Sequence, residues 1–336
     1  MIIMLENYRF GRLILSLILF VLTCSIQYNM QLPLFANVTT ILIIGILLVD
    51  ILVEFIVIQI FKQPTDKKTS IENESWTELT VNCRGVEARA LLNRGNDSGR
   101  LLLVVHGWKG SAESVRERAE WFCQQGWHAL IVEMPGHGVA MPVNRWTAIR
   151  VVEHTVELMK SLDNIIPPKE ITDIVYYGHS MGGFVGINLS KTLEQYSWGH
   201  KLRGWVLESP MTKYSMVFND SMSEMKIPII LHQLVKKRLF SQFNRLHPNE
   251  KPIESLNELD VPTWGLPKLP TLVIQAADDN ILGREHYDLL ISSMADAGRD
   301  ELLTSHLLQH LPHAGARTDK VRSDIVEEWI KTLLPR

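Results

Sequence analysis

"DIVYYGHSMGGF", residues 173–184, begins as an apolar run and ends with a serine among three glycines. The apolar run predicts a short buried strand, and the residues from Met181 onward have the pattern of a helix. The frame Gly178-x-Ser180-x-Gly182 lies at the junction. Small residues on both sides let the chain turn sharply with the serine side chain above the sheet. This pattern predicts a nucleophilic serine, and its alternative is a helix-capping serine in a glycine turn.

The chain around this motif alternates short apolar runs with longer amphipathic segments. Strands that run into turns or loops are predicted in "RLLLVVHGW", "HALIVEMPGHG", "DIVYYGHS", "LRGWVLESP" and "PTLVIQAADD", and a last strand is predicted around His306 and His310. Helices are predicted at about 111–126, 146–161 and 181–196. Uniformly apolar strands that are separated by helices indicate a parallel sheet covered on both faces. The predicted fold class is therefore α/β, with a mostly parallel sheet and helices on both faces.

The N-terminal region has a different composition. Residues 13–49 contain no Asp, Glu, Lys or Arg, and a polar break at 27–33 separates apolar blocks at 13–26 and 36–61. A membrane-spanning helix needs ~20 mostly apolar residues, so residues 1–61 are predicted to form a membrane hairpin with one or two transmembrane helices. A cleaved signal peptide, two buried core helices and a re-entrant first block are the alternatives.

The basic residues predict the orientation of this hairpin. Arg9 and Arg12 precede the first block, Lys62, Lys67 and Lys68 follow the second, and the connecting loop has no basic residue. Basic residues concentrate on the cytoplasmic side of membrane segments. The expected location is therefore the membrane, with the following domain in the cytoplasm.

Two acids, Asp50 and Glu54, follow the apolar core of the second block. They lie four residues apart and would share one face of a helix. We interpret them as residues at the membrane interface, because the sequence offers no basic partner nearby. The alternative is a functional pair inside the hydrocarbon layer.

The remaining chain divides into a polar linker at 62–75 and a domain at 76–336. Residues 215–266 are predicted to form a cap inserted after a core strand. Its segment "MKIPIILHQLVKKRLF" is apolar with basic residues at one end, which is typical of an acyl-binding or membrane-facing cap. Alternatively, its apolar side covers the core of the domain.

Charge and composition argue against several functions. The net charge of −3 gives no electrostatic reason to expect a nucleic-acid partner. The three cysteines show no CxxC spacing, and the twelve histidines form no HExxH motif. We therefore expect no metal and no cofactor. Nothing in the sequence indicates an oligomeric state.

Four segments, "VVHGW", "EMPGHG", "YGHSMGG" and "LVIQAADDNIL", resemble signatures of the α/β-hydrolase superfamily and occur in its order. The resemblance extends from about residue 76 to the end and is strongest to lysophospholipase-like and monoacylglycerol-lipase-like serine hydrolases. It implies an α/β-hydrolase fold. The hydrophobic hairpin is not part of the core that these proteins share.

The resemblance also implies a catalytic triad in the order Ser, Asp, His. Ser180 is the expected nucleophile, and Asp279 is the expected acid with the adjacent Asp278 as its alternative. His313 is the expected base, with His310 in reserve; His306 is interpreted as a structural residue.

The oxyanion hole that the resemblance implies uses the backbone N–H groups of Met181 and Trp108. His106, His179 and His137 are interpreted as structural residues. The expected function is hydrolysis of carboxylic esters, lipid or acyl esters first, through an acyl-enzyme, with a small-molecule or lipid substrate and the bilayer as partners. The alternatives are a thioesterase, an acyltransferase, a peptidase or a non-catalytic scaffold.

Overall fold

The computed structural model describes residues 10–64, 75–96 and 99–335, and within them the chain forms two compact units. One unit comprises residues 10–62, 144–146 and 219–255. The other comprises the remaining described residues. Most of the predicted linker and the predicted topogenic residues Arg9, Lys67 and Lys68 lie outside the described residues.

The larger unit is built on an eight-stranded sheet with the order β1-β2-β4-β3-β5-β6-β7-β8. The pairs β1–β2 and β2–β4 are antiparallel and all other neighbours are parallel, which confirms the predicted mostly parallel sheet. The strands are β1 Thr77–Cys83, β2 Val86–Asn93, β3 Arg100–Val105, β4 His128–Glu133, β5 Asp173–His179, β6 Leu202–Glu208, β7 Thr271–Ala276 and β8 Leu303–Leu308.

The strands β1 and β2 were not among the predicted elements. Their sequences carry charged and polar residues in place of a continuous apolar run, because β1 lies at the edge of the sheet and half of it is exposed. Arg89 of β2 is buried and pairs with Glu133 of the neighbouring β4 and with Glu78 of β1. These ion pairs let a charged residue occupy the interior of the sheet.

Nine α-helices are present in the described residues: α1 Gly11–Asn29, α2 Leu34–Ile60, α3 Arg116–Gln124, α4 Ala148–Leu162, α5 Met181–Thr192, α6 Tyr214–Glu224, α7 Ile229–Leu246, α8 Arg284–Asp296 and α9 Lys320–Leu333.

The two tyrosines of β5 show how helices cover both faces of the sheet. The Tyr176 ring lies beneath α5, where it would contact a side chain at Gly186. Tyr177 joins a core with Phe122 of α3 and Ile330 of α9. The predicted two-sided covering is therefore confirmed.

The smaller unit contains α1, α2 and α7. Helices α1 and α2 are long and apolar enough to cross a membrane, by length and composition alone. They pack together, and Gln27 donates a hydrogen bond of 2.8 Å from Nε2 to Asn37 Oδ1 near the turn between them. Helix α7, which lies between β6 and β7 in the sequence, packs on α2.

The structure pairs the two acids of α2 with arginines, while their expected place at the membrane interface stays a prediction. Asp50 and Glu54 do have basic partners, because Arg238 of α7 binds both carboxylates. Arg238 lies 188 residues beyond Asp50 in the sequence and Arg12 of α1 also approaches both acids, so neither partner is a sequence neighbour.

Candidate active site

The serine motif forms a sharp bend between β5 and α5. Ser180 has φ 52° and ψ −112°, a conformation that is strained for a residue with a side chain. Its N–H donates to the Glu208 carbonyl at 2.9 Å and its own carbonyl accepts from Met211 N at 3.1 Å. These backbone bonds to the end of β6 and the residues after it hold the bend in place.

The two flanking glycines are required by close contacts between backbone segments. A Cβ at Gly178 would lie 2.6 Å from the Gly182 carbonyl oxygen, and one at Gly182 would lie 2.0 Å from the Val105 oxygen. Both distances are far shorter than a carbon–oxygen contact permits. The predicted roles of Gly178 and Gly182 in the bend therefore have a direct steric basis.

Three side chains from distant parts of the larger unit form one hydrogen-bonded chain. His313 Nε2 lies 2.9 Å from Ser180 Oγ, and His313 Nδ1 lies 2.7 Å from Asp279 Oδ2. All three residues are buried. The arrangement suits proton transfer from the serine to the imidazole, with the carboxylate fixing the ring orientation.

The Asp279 carboxylate is held in its charged form. Burial would raise its pKa, but the hydrogen bond to His313 and those from the N–H groups of Leu282 and Ile281 lower it to about 2. Gln275 donates a further bond to Oδ2 at 2.9 Å. The alternative acid, Asp278, is exposed, so the structure brings Asp279 and not Asp278 to the histidine.

The reserve histidines have other environments. His310 is exposed, and its Nε2 lies 2.9 Å from Asp319 at the start of α9. His306 lies within β8. Of these candidates, only His313 is hydrogen-bonded to the serine in the described structure.

The neighbouring His179 contacts the backbone of the base. Burial lowers the pKa of His179 to about 4, so its imidazole is neutral near pH 7. Its Nε2 lies 2.7 Å from the His313 carbonyl oxygen and can donate to it. His179 therefore supports the loop that carries His313, which agrees with its interpretation as a structural residue.

The loop after β3 lies directly against the serine. A Cβ at Gly107 would be 3.2 Å from Ser180 Cβ, and Trp108 follows with its ring 5.0 Å from that of His137. His106 is fully buried and accepts a hydrogen bond from Met134 N at Nε2, which gives it a structural contact.

Met181 is the first residue of α5, and the first N–H groups of a helix have no partner within it. The Met181 N–H therefore lies at the positive end of α5, where negative charge is favoured. This N–H and the loop of Trp108 are both adjacent to Ser180, as an oxyanion site requires.

A buried charge cluster behind the bend was not predicted. Glu208, at the end of β6, accepts hydrogen bonds from Arg118 Nε and Nη2 at 2.8 and 2.7 Å, from Arg322 at 3.2 Å and from the Tyr177 hydroxyl at 2.6 Å. Both arginines also donate to the Ala316 carbonyl, three residues beyond the base. Despite its burial, these cations lower the pKa of Glu208. The only sequence signal was a charge at the end of an apolar strand.

The described residues contain no group of three or more His, Cys, Asp or Glu side chains placed to hold a metal ion. The polar groups around Ser180 are instead paired with one another and with the backbone. Their arrangement suits nucleophilic attack by the serine on an electrophilic carbon.

The sheet order, the bend and the hydrogen-bonded chain define the α/β-hydrolase fold. Residues 97–258 match the family described as serine aminopeptidase, S33. No curated protein matches the sequence.

Solved structures of the same fold include enzymes of different specificity. An esterase from Pyrococcus furiosus is 16% identical, with a TM-score of 0.58 over 81% of this chain and 99% of its own. An alpha-beta hydrolase from Vibrio vulnificus is 22% identical, with a TM-score of 0.55 over 79% and 83%. An acylaminoacyl peptidase from Pyrococcus horikoshii is 12% identical, with a TM-score of 0.55 over 78% and 42%. Together with the family match, these similarities support a hydrolase.

Proposed function

We propose that this protein is a membrane-anchored serine hydrolase that cleaves carboxylic esters, with lipid or acyl esters as its substrates. The observation that carries the proposal is the continuous chain of hydrogen bonds from Ser180 through His313 to Asp279, at 2.9 and 2.7 Å. This is the geometry that activates a serine hydroxyl for attack on a carbonyl group.

In the first half of the proposed reaction, Ser180 Oγ attacks the ester carbonyl carbon and its proton passes to His313 Nε2. Asp279 stabilises the imidazolium that forms. The N–H groups of Met181 and Trp108 stabilise the oxyanion of the tetrahedral intermediate. Cleavage of the carbon–oxygen bond then releases the alcohol, which takes the proton from His313, and leaves an acyl group on Ser180.

In the second half, His313 removes a proton from water, and the water oxygen attacks the acyl carbon. Collapse of the second tetrahedral intermediate breaks the bond to Ser180 Oγ, which recovers the proton from His313. The products are a carboxylic acid and the free enzyme. Each half uses the same three side chains, so the loss of any one slows both.

The lipid preference rests on the proposed anchoring. Helices α1 and α2 are long and apolar enough to span a membrane, and their apolar side chains are largely exposed. Such exposed apolar side chains need no protein partner in lipid, because acyl chains are as apolar as they are. A catalytic domain tethered there meets substrates that are dissolved in the bilayer.

A peptidase is the second candidate, because residues 97–258 match a family described as serine aminopeptidase. Both candidates share the steps above and differ in the leaving group, which is an amine in place of an alcohol. The test is therefore made in two stages, first for an activated serine and then for the bond it cleaves.

Membranes that contain the protein are treated with a fluorophosphonate probe. We expect labelling of the wild type, none of Ser180→Ala, strongly reduced labelling of His313→Ala, and near wild-type labelling of the control His310→Ala. Matched acyl nitrophenyl esters and aminoacyl nitroanilides then separate the two candidates. A folded wild type that remains unlabelled would refute the proposed activity.

A further inference from the structure

Helix α2 carries two carboxylates that are bound by one arginine of α7. Arg238 Nη1 lies 2.7 Å from Glu54 Oε2, and Nη2 lies 2.6 Å from Asp50 Oδ1. One helical turn further on, Gln242 Nε2 donates to Glu54 Oε1 at 2.8 Å. The Glu54 side chain has no exposed surface. Because a buried carboxylate requires charge and hydrogen-bond partners, α7 is held at a fixed position on α2.

Helix α1 completes this cluster. Ser16 Oγ donates to Asp50 Oδ2 at 2.7 Å, and the Arg12 guanidinium lies 3.4 Å from Asp50 and 3.9 Å from Glu54. Two carboxylates therefore face two guanidinium groups, so the cluster as a whole is neutral. These hydrogen bonds and ion pairs connect all three helices of the smaller unit, α1, α2 and α7.

Helix α7 has two different halves. Its second half packs inward through Val235, Leu239 and Phe243, which repeat at helical spacing. Its first turn exposes Ile229 and Ile230, residues that are 84% and 82% exposed. Two adjacent isoleucines that are exposed to this degree are unfavourable in water.

The apolar surface of this first turn continues onto α2. Leu234, 45% exposed, lies four residues after Ile230 and on the same face of α7. It lines a groove of about 300 Å³ together with Ile46 and Val49 of α2, and Lys237 lies at the groove as well. The lipid-facing surface expected of α2 and the exposed face of α7 are therefore one continuous surface.

The groove extends along α2 from the hydrocarbon core expected of the membrane up to one of its boundaries. At 1.5 Å per residue, the α2 residues that line the groove lie between about 18 Å (Ile46) and about 28 Å (Val53) from Leu34, the start of the helix. The hydrocarbon core of a bilayer is about 30 Å thick. A helix that crosses it from Leu34 thus places the groove in the adjoining half of the hydrocarbon core, with its Val53 end at the boundary where acyl chains meet phosphate groups.

The charges of α7 match that position. The helix contains no acidic residue and four basic ones: Lys236, Lys237, Arg238 and Arg245. A helix with an exposed apolar face and basic residues beside it binds the interface of membranes with anionic lipids. Arg238 is neutralised within the cluster, whereas Lys237 is exposed at the groove.

We propose that α7 is an interfacial helix, clamped to the hairpin by Arg238, that binds an anionic phospholipid. Ile229, Ile230 and Leu234 contact the acyl chains, and the Lys237 ammonium contacts the phosphate. This inference rests on the membrane anchoring in the proposed function and extends it, because it makes the inserted cap a lipid-binding element.

The test uses the full chain, reconstituted in phosphatidylcholine vesicles with and without phosphatidylglycerol. The three native cysteines are replaced by alanine, and a polarity-sensitive fluorophore is attached at Ile230→Cys or, as control, at Asn249→Cys just beyond the other end of α7. Lipids with a spin label in the upper acyl chain quench only fluorophores within the bilayer. We expect quenching at position 230 to be at least about twice that at position 249, and stronger with phosphatidylglycerol.

Two substitutions test the assigned contacts. Lys237→Glu replaces the ammonium that is proposed to contact the phosphate, and the side chain is exposed, so the fold should be unaffected. We therefore expect quenching at position 230 no longer to increase with phosphatidylglycerol. In the control Arg245→Glu this increase should remain. Arg238→Met removes the nearer of the two guanidinium groups at Glu54 and the ion pairs that join α7 to α2, so we expect quenching at position 230 to fall toward the level at position 249. The control Arg245→Met should not change it.

Equal and weak quenching at positions 230 and 249 would overturn the inference. So would a Lys237→Glu variant in which quenching at position 230 still increases with phosphatidylglycerol as it does in the wild type. The fluorophosphonate reaction is measured on the same samples, and extraction with alkaline carbonate reports the anchoring. A labelled protein that resists extraction but shows no quenching at position 230 refutes the interfacial helix alone. Loss of labelling or extraction of the protein would instead refute the proposed function.

Discussion

Replacement of Glu208 by glutamine tests whether the buried charge cluster holds the candidate site together. The Glu208 carboxylate accepts four hydrogen bonds, three of them from the guanidinium groups of Arg118 and Arg322. Glutamine has nearly the same shape but no charge, so the substitution leaves two buried arginines without a counter-ion. We expect it to weaken the larger unit strongly.

The magnitude follows from the burial of the cluster. Removal of one partner of a buried ion pair costs about 3–5 kcal/mol, and both Glu208 and Arg322 are only 2% exposed at the side chain. For a domain of this size, each kcal/mol shifts the melting temperature by about 2–4 °C. The expected decrease is therefore about 6–20 °C. The matched control is Glu194→Gln, whose side chain is 82% exposed and pairs with Lys268; we expect a loss below about 1 kcal/mol.

The same substitution should also slow the reaction with a fluorophosphonate. Arg118 and Arg322 each donate to the Ala316 carbonyl, so their release loosens the loop of His313. Melting is followed by tryptophan fluorescence in detergent, and labelling is measured well below the melting temperature. Equal melting temperatures for Glu208→Gln and Glu194→Gln would refute the reasoning.

The charge cluster around Glu208 also predicts how the stability of the protein changes with pH. The pKa of Glu208 is lowered from an ordinary value of 4.5, so its stabilisation is fully present above that pH and is lost as the pH falls below it. The difference in melting temperature between the wild type and Glu208→Gln should therefore be constant at neutral pH and narrow below about pH 4.5. A difference that widens on acidification would contradict this assignment.

Three further predictions concern the bend and its neighbours. Asp279→Asn should slow fluorophosphonate labelling by about 10³–10⁴-fold without unfolding, because the amide no longer holds the required tautomer of His313. His179→Phe should slow labelling by about ten-fold, since it removes one hydrogen bond to the His313 carbonyl; unchanged rates would assign His179 to packing alone. Gly182→Ala should lower stability by about 3 kcal/mol, because its Cβ would lie 2.0 Å from a backbone oxygen. The control Gly45→Ala, with no atom within 4 Å of its Cβ, should not lower stability in a thermal melt.

Much of the fold and of the candidate site could be predicted from local sequence. The apolar run before Ser180 and the glycines around it predict a strand, a bend and a helix, because each depends on neighbours within a few residues. The same holds for the other predicted strands of the sheet. The strands β1 and β2 were not predicted, since their polar residues are accommodated by pairing, such as Arg89 with Glu133.

The sequence left two choices open that the folded chain decides. Asp278 and Asp279 are chemically identical, and only the turn after β7 directs one of them toward His313 while the other remains exposed. His310 and His313 lie three residues apart, and the first pairs with Asp319 instead of the serine. The direction of a side chain depends on backbone angles that residue type alone does not specify.

The sequence alone determined the α/β class, the strand-to-helix bend at Ser180 and the two apolar N-terminal helices, because local periodicity and composition encode them. Only the tertiary structure decided which charges neutralise one another. Glu208 meets Arg118 across 90 residues, and Asp50 meets Arg238 across 188. A buried charge must find a partner, but the partner needs only to be close in space, so its position in the sequence is unconstrained.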